Sequence, residues 1–382
     1  MKRIIAIVLC AIILVLGLPG VYAAEFSSEG IDCVSCILVE QSTGRVLFEH
    51  NADKALPPAS VTKVMTMLLV FEAIKNGSIS LDDMVTVSAN AADMGGSQVY
   101  LEQGERMSVD TLLKCMIISS ANDAAVALAE YVAGSEASFV ARMNERAAEL
   151  GCTSSHFENV TGLDDTTVNH VMSARDIAIM STEVMKHEIV KNYSTVWMDT
   201  IRNGTFGLSN TNRLIRFYDG ATGLKTGSTA KAGFCISATA ERNGMELVAV
   251  IMGASNRDSR NALAKSLLDF GFSNYALFSK DRCELGSIAV RGGVSSCVGA
   301  GREEFSAVVE KSALSGCTER IELSDCLNAP VSAGQKIGEV TYYAGEKMIG
   351  SSDIIAMNDV PKISFGTLLP KIFGWFICAP ES

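Results

Sequence analysis

Two hairpin signals stand far apart in this chain, and helical patterns fill the stretch between them. The segment "CILVEQSTGRVLFEHN" (Cys36 to Asn51) alternates apolar and polar residues on both sides of "STG", the pattern of a hairpin on a sheet surface. Far downstream, "GFCISATAER" and "MELVAVIMGA" flank Asn243-Gly244, a dipeptide whose residues tolerate the positive φ of a tight hairpin turn. Between these strands, Pro57 and Pro58 end the extended chain, and Val64, Met67, Leu68 and Phe71 then recur at helical spacing, so a long helix is expected from Ser60. "VDTLLKCMIISSANDAAVALAEYVA" (Val109 to Ala133) reads as a buried helix pair interrupted at "SSAND", and "SRNALAKSLLDFGF" as a closing amphipathic helix. Strands at both ends with helices between describe an α/β (α+β) domain. Its sheet, flanked by helices, brings the N- and C-terminal strands together.

With 382 residues the chain exceeds one compact domain of the usual ~100–150, and its character changes near Tyr275. From Cys283 to Val360, short runs such as "FSAVVE" and "KIGEVTYYA" are separated by Gly, Ser and Asn without a helical period, which predicts a small all-β domain over 281–360 after a main domain over 24–280. The N-terminus has Lys2 and Arg3, an apolar stretch from Ile4 to Leu18, a Pro19 break, and small residues at Val21 and Ala23, the order of a secretory signal over residues 1–23. An uncleaved membrane anchor is the alternative. The final "PKISFGTLLPKIFGWFICAPES" (361–382) is broken by Pro370 and Gly374 and suits an interfacial amphipathic segment, with Trp375 and Lys371 at the headgroup level, or packing on the β domain. The mature protein is therefore expected outside the cytoplasm, on the outer face of its membrane.

A net charge of −11 with no basic patch argues against binding nucleic acid, whose phosphates call for clustered Lys and Arg. Eleven cysteines do not make a disulfide framework in a chain of this length. Cys36, Cys115 and Cys235 sit in apolar runs as small hydrophobes. Cys33 and Cys36 have metal-like or redox-like spacing, but no second pair or nearby histidine completes a zinc site, so the pair reads as structural; no metal and no cofactor is expected. Cys297, Cys317 and Cys326 have the option of pairing.

The chemistry is concentrated in three short stretches. Ser60 and Lys63 stand three residues apart at a helix start, close enough for an amine to act as base toward a hydroxyl, provided desolvation or a second cation removes its own proton. The same spacing recurs at Ser228 and Lys231, without the proline break and helix N-terminus that favour an anion at Ser60. "SAN" occurs at Ser88 to Asn90, read as a helix cap, and at Ser120 to Asn122, where a buried loop presents a hydroxyl and an amide. "KTG" at Lys225, Thr226 and Gly227 leads into a strand. It offers a cation, a hydroxyl for a carboxylate, and a glycine that lets substrate backbone approach.

In that order, Ser60-Val-Thr-Lys63, Ser120-Ala-Asn122 and Lys225-Thr-Gly227 resemble the three signature motifs of serine penicillin-binding proteins and β-lactamases. The flanks from about Cys36 to Phe272 look like the low-molecular-mass D-alanyl-D-alanine carboxypeptidases, and "AGQKIGEVTYY" resembles that family's C-terminal β domain. The resemblance implies a β-lactamase/transpeptidase-like fold, with Ser60 as the acylated nucleophile, Lys63 as its base and Ser120 as the proton relay. It further implies that Asn122 binds the substrate's peptide and that Lys225 depresses the pKa of Lys63. Thr226 and Arg260 would then hold the terminal carboxylate, and the amides of Ser60 and Ser228 would form the oxyanion hole. The implied partners are the peptidoglycan stem peptide and β-lactam antibiotics. A class A β-lactamase is the rival, but no Glu-x-x-Leu-Asn segment is present to activate a deacylating water; a penicillin-sensing wall module without turnover is the other. His156 and His170, flanking "FENVTGLDDTTVNH", are expected on the surface with no catalytic role.

Overall fold

The computed structural model describes residues 26–27, 29–165 and 167–369. The expected export signal and the tail from residue 370 onward lie outside the described residues. The chain divides into one unit holding 26–281 with 304–308 and a second holding 282–303 and 309 onward.

The first unit is built on a five-stranded antiparallel sheet: β1 (Ser35–Glu40), β2 (Val46–His50), β3 (Ala221–Thr229), β4 (Gly233–Arg242) and β5 (Met245–Ala254), in the order β2-β1-β5-β4-β3. β1 pairs with β5 in the register Ile37 to Val250, which joins the two ends of the unit. Asn243 and Gly244 both have positive φ, as the β4–β5 turn requires. β1 departs from the half-exposed strand expected of its alternation: all six residues are buried. Ile37 and Val39 enter one apolar cluster while Cys36 and Leu38 enter the other, so both sheet faces are covered.

One face carries α1 (Lys63–Lys75), α2 (Val109–Ile118), α3 (Asn122–Ala133) and α4 (Ala174–Met185); the other carries α5 (Arg257–Asn274). α1 is buried almost all round, as a helix passing through the centre of a core must be. The α-helix proper begins at Lys63, because residues Ala59–Thr62 form a 3₁₀ turn that feeds it, so Ser60 stands on that turn. "KTG" lies within β3 rather than ahead of a strand, and β3 is the sheet edge facing the Ser60 turn.

The second unit carries a six-stranded sheet from β6 (Cys283–Arg291), β7 (Cys297–Arg302), β8 (Cys317–Leu323), β9 (Cys326–Asn328), β10 (Lys336–Ala344) and β11 (Lys347–Ala356), in the order β8-β10-β11-β7-β6-β9. The option of disulfides there is not taken: Cys297, Cys317 and Cys326 are free thiols. The sheet explains it. Cys297 and Cys326 both lie opposite Ala289 but on the two different neighbours of β6, about 10 Å apart, beyond the ~7 Å that a disulfide spans. Cys317 starts the strand at the opposite edge. Among the described residues no helix is long and apolar enough to cross a membrane.

Candidate active site

The Ser60 turn is held in an unfavourable shape from below. Ala59 has φ +48°, which a residue with a Cβ rarely adopts. Thr62 Oγ1 donates to the Ala59 carbonyl at 2.9 Å and lies 2.8 Å from His170 Nε2. The Glu158 N–H donates to His170 Nδ1 at 3.0 Å, so the ring's remaining N–H is at Nε2 and points at Thr62. Burial holds His170 down to about 4, which keeps it neutral in this chain of bonds. Gly162, at φ +81°, lies against the same carbonyl so closely that a Cβ there would stand 1.8 Å from the Ala59 oxygen. The expectation that His170 is a surface residue therefore fails: it is 5% exposed and braces the nucleophile's turn, whereas His156 is exposed.

Lys63 is fully buried, and its Nζ has three polar neighbours: Asn122 Oδ1 at 2.6 Å, the Thr161 carbonyl at 3.0 Å and Ser60 Oγ at 3.2 Å. Burial holds its pKa well below the ordinary lysine value, the Lys225 cation adds to this, and Asp123 opposes it. A neutral amine has two N–H donors and one lone pair. The two carbonyl oxygens can only accept, so they take the donors, and the lone pair is left for the Ser60 hydroxyl proton. That is the geometry of a general base one turn from its nucleophile.

Ser120 has φ +64° on the loop between α2 and α3, the kind of sparsely populated backbone that persists where surrounding contacts enforce it. Lys225 Nζ donates to Ser120 Oγ at 2.8 Å and to the Thr226 carbonyl at 2.9 Å. Burial, then the Arg260 cation, lowers Lys225 to about 7. Asn122, besides receiving Lys63, spends one N–H on the Gly95 carbonyl at 2.7 Å. The side chain is 2% exposed and is not among the residues that line the cleft.

Gly227 answers a closer neighbour than substrate. A Cβ there would stand 2.7 Å from Ser60 N, 2.9 Å from Val61 N and 3.0 Å from the Pro58 carbonyl. The glycine admits the nucleophile's own turn, and the approach sets Ser60 beside the β3 edge. Ser60, Ser120, Thr226, Gly227, Ser228 and Arg260 all line one cleft of about 640 Å³. Thr226 Oγ1 donates to Thr211 Oγ1 at 2.8 Å. Arg260 is 3% exposed, donates to the Cys235 carbonyl and Asn261 Oδ1, and is lowered to about 10 by burial and by Arg257. Arg213 and Arg257 join it in the lining, so three guanidinium groups gather in this cleft, an arrangement able to pair with a carboxylate.

Those two arginines, Thr211, and the Thr161 carbonyl were not legible in the sequence. Arg213 lies in "TNRLIRF" with no motif spacing, and a backbone carbonyl leaves no residue-type signal at all. Ser228 and Lys231 do not repeat the Ser60–Lys63 relation, since Ser228 lies on a strand and Lys231 on an exposed turn. Ser88 caps its helix, its Oγ accepting from Ala91 N at 3.0 Å. Among the described residues no cluster of three or more His, Cys, Asp or Glu could hold a metal.

The family model of D-alanyl-D-alanine carboxypeptidase matches residues 23–256, and that of the penicillin-binding protein 5 C-terminal domain matches 272–362. The chain is 37% identical over 98% of its length, and 98% of the relative's, to the D-alanyl-D-alanine carboxypeptidase DacF of Bacillus subtilis. It superposes on penicillin-binding protein 5 from Haemophilus influenzae with a TM-score of 0.77 at 31% identity, covering 88% of this chain and all of that one. Penicillin-binding protein D2 from Listeria monocytogenes, solved in its ampicillin-bound form, aligns with a TM-score of 0.59 at 30% identity over 64% of this chain and 100% of that one. A match of this extent, laid over a serine and lysine already arranged for acyl transfer, means that the chain belongs to the D-alanyl-D-alanine carboxypeptidase family.

Proposed function

We propose that this protein removes the terminal D-alanine from peptidoglycan stem pentapeptides through an acyl-enzyme on Ser60. Ser60 Oγ attacks the carbonyl carbon of the penultimate D-alanine as its proton passes to the lone pair of Lys63. The oxyanion is held by the amides of Ser60 and Ser228, a type of contact whose loss costs about 3–4 kcal/mol. Thr226 and Arg260, with Arg213 beside them, hold the terminal carboxylate. Ser120, hydrogen-bonded by Lys225, hands its proton to the departing nitrogen and takes the one held on Lys63 in its place, so the C–N bond breaks, D-alanine leaves, and Lys63 is neutral again. Water then attacks the Ser60 ester with Lys63 again as base and frees the tetrapeptide. The observation that carries this reading is the position of Lys63 Nζ, which has two acceptors for its donors and the Ser60 hydroxyl for its lone pair.

The same reading makes penicillins inhibitors. The described residues that line the cleft include no carboxylate to activate water as a class A β-lactamase does, and the penicilloyl leaving group stays tethered over the ester. Residues 1–23 serve export and 361–382 attach the enzyme to the outer face of the membrane, with the β unit as a spacer. The test is peptide mapping of the penicillin adduct together with D-alanine release from a pentapeptide ending in D-Ala-D-Ala. Wild type should release D-alanine and carry one adduct, on Ser60; Ser60→Ala should do neither. Rapid β-lactam hydrolysis, or acylation without any release, would replace this reading with the lactamase or the sensor.

A further inference from the structure

Two segments leave the cleft side by side and end at a second, shallower cavity that the hydrolysis does not use. Ser97 lines the cleft, and three residues on stands Tyr100, 69% exposed. Ser209 lines it too, and Phe206 lies three residues back along the strand Phe206–Ser209. Three extended residues span at most about 10 Å, so the cavity lies within that reach of the cleft lining. The paths converge: the Tyr100 and Phe206 rings meet edge to face at 6.3 Å, and with Glu102, Gln103, Glu105 and Arg202 they line a cavity of about 630 Å³.

The platform is fixed in place. Tyr100 has φ +55°, a conformation that bulky residues avoid. The buried Asp123 carboxylate accepts the N–H groups of Val99 and Leu101, on either side of it, at 3.1 and 3.0 Å. From the facing hairpin, Arg202 donates to the Val99 and Tyr100 carbonyls at 2.8 and 3.0 Å and pairs with both oxygens of Glu105 at 2.9 Å. Its guanidinium also lies over the Phe206 ring at 5.6 Å. Asp123 follows directly on Asn122, so the segment that fixes Lys63 also fixes Tyr100.

An exposed tyrosine ring, braced edge to face by the half-buried Phe206 and standing beside a carboxylate and a carboxamide, matches one ligand chemistry well. A pyranose offers an apolar C–H face to a ring, and its hydroxyl and acetamido groups suit the planar acceptors and donors of Glu102 and Gln103. Four stem residues separate the scissile carbonyl from the glycan, and at ~3.3–3.6 Å each they reach about 14 Å when extended. We infer that the Tyr100–Phe206 cavity is a glycan subsite, binding an N-acetylated sugar of the strand whose stem peptide lies in the cleft. The inference rests on the carboxypeptidase reading.

The test compares kcat/KM for the free pentapeptide with that for the same pentapeptide on its N-acetylated disaccharide. Wild type should favour the sugar-linked substrate about fivefold to tenfold, the range of one aromatic contact. Tyr100→Ala and Gln103→Ala should bring that ratio to one while leaving free-pentapeptide turnover and penicillin acylation unchanged. A wild-type ratio of one, or a ratio that Tyr100→Ala does not alter, overturns the subsite. Loss of free-pentapeptide turnover in Tyr100→Ala would assign the platform to the stem peptide and overturn it equally. Should neither substrate turn over, the carboxypeptidase reading fails instead. Titration of the disaccharide tetrapeptide against the ring resonances of Tyr100 and Phe206 then decides the subsite by itself, with shifts supporting it and none refuting it.

Discussion

Replacing Gly227 with alanine tests whether the β3 edge positions the nucleophile. The added Cβ would stand 2.7 Å from Ser60 N, with Val61 N and the Pro58 carbonyl almost as near, and all three are backbone atoms that no side-chain rotation can clear. To reach an ordinary 3.4 Å contact, the turn or the strand must retreat by about 0.7 Å. Overpacking of this kind costs about 1–3 kcal/mol, which a fold with a core of this size survives. Reactivity suffers more, because a misplacement near 1 Å at the attacking atom costs about 10²-fold. The expected outcome is a folded Gly227→Ala enzyme whose acylation by a fluorescent penicillin, followed by stopped flow, is slowed about 30- to 100-fold. Thermal denaturation monitored by circular dichroism should confirm the fold. Acylation at the wild-type rate would mean that the close approach of β3 does not set the position of Ser60.

Three further outcomes follow from the same contacts. Lys63→Ala should lower Ser60 acylation by about 10²–10⁴, the usual share of a general base, measured in the same assay. Lys63 works as a base only without its proton, so wild-type activity should fall as pH drops through its depressed pKa; Lys225→Gln, by removing a neighbouring cation, should move that limb to higher pH. His170 takes a proton at about 4 in the folded protein and at 6.5 when free, so the stability it confers is complete above 6.5 and lost as pH falls toward 4. The loss is about 3 kcal/mol on the scale of 1.36 kcal/mol per unit, and His170→Gln should flatten the melting temperature across that window.

The residues that were legible in the sequence are those whose chemistry is carried by side-chain type at fixed local spacing. Ser60 and Lys63 are three residues apart, and the strands either side of Asn243-Gly244 announce themselves by alternation. The rest depends on contacts between distant segments. The brace of the Ser60 turn joins Ala59 to Gly162 and Thr62 to His170, pairs separated by a hundred residues or more, and one partner is a carbonyl that any residue supplies. Gly227 reads as the point where substrate backbone approaches, whereas the neighbour within 3 Å of a Cβ there is the backbone of the Ser60 turn, which leaves no signal in the pattern. β1 reads as half exposed from its alternation, yet even its Glu40 carboxylate is buried, accepting bonds from Ser42 and Thr43 in the turn that follows.

The protonation state of Lys63 in the resting enzyme is the quantity on which the mechanism stands. It is measured by following the lysine side-chain Cε and Nζ resonances of isotope-labelled protein against pH, with Lys63→Arg identifying the signal. An uncharged amine at neutral pH is the expected result. A Lys63 that stays charged up to the ordinary lysine range would contradict it, because an ammonium has no lone pair with which to take the Ser60 proton.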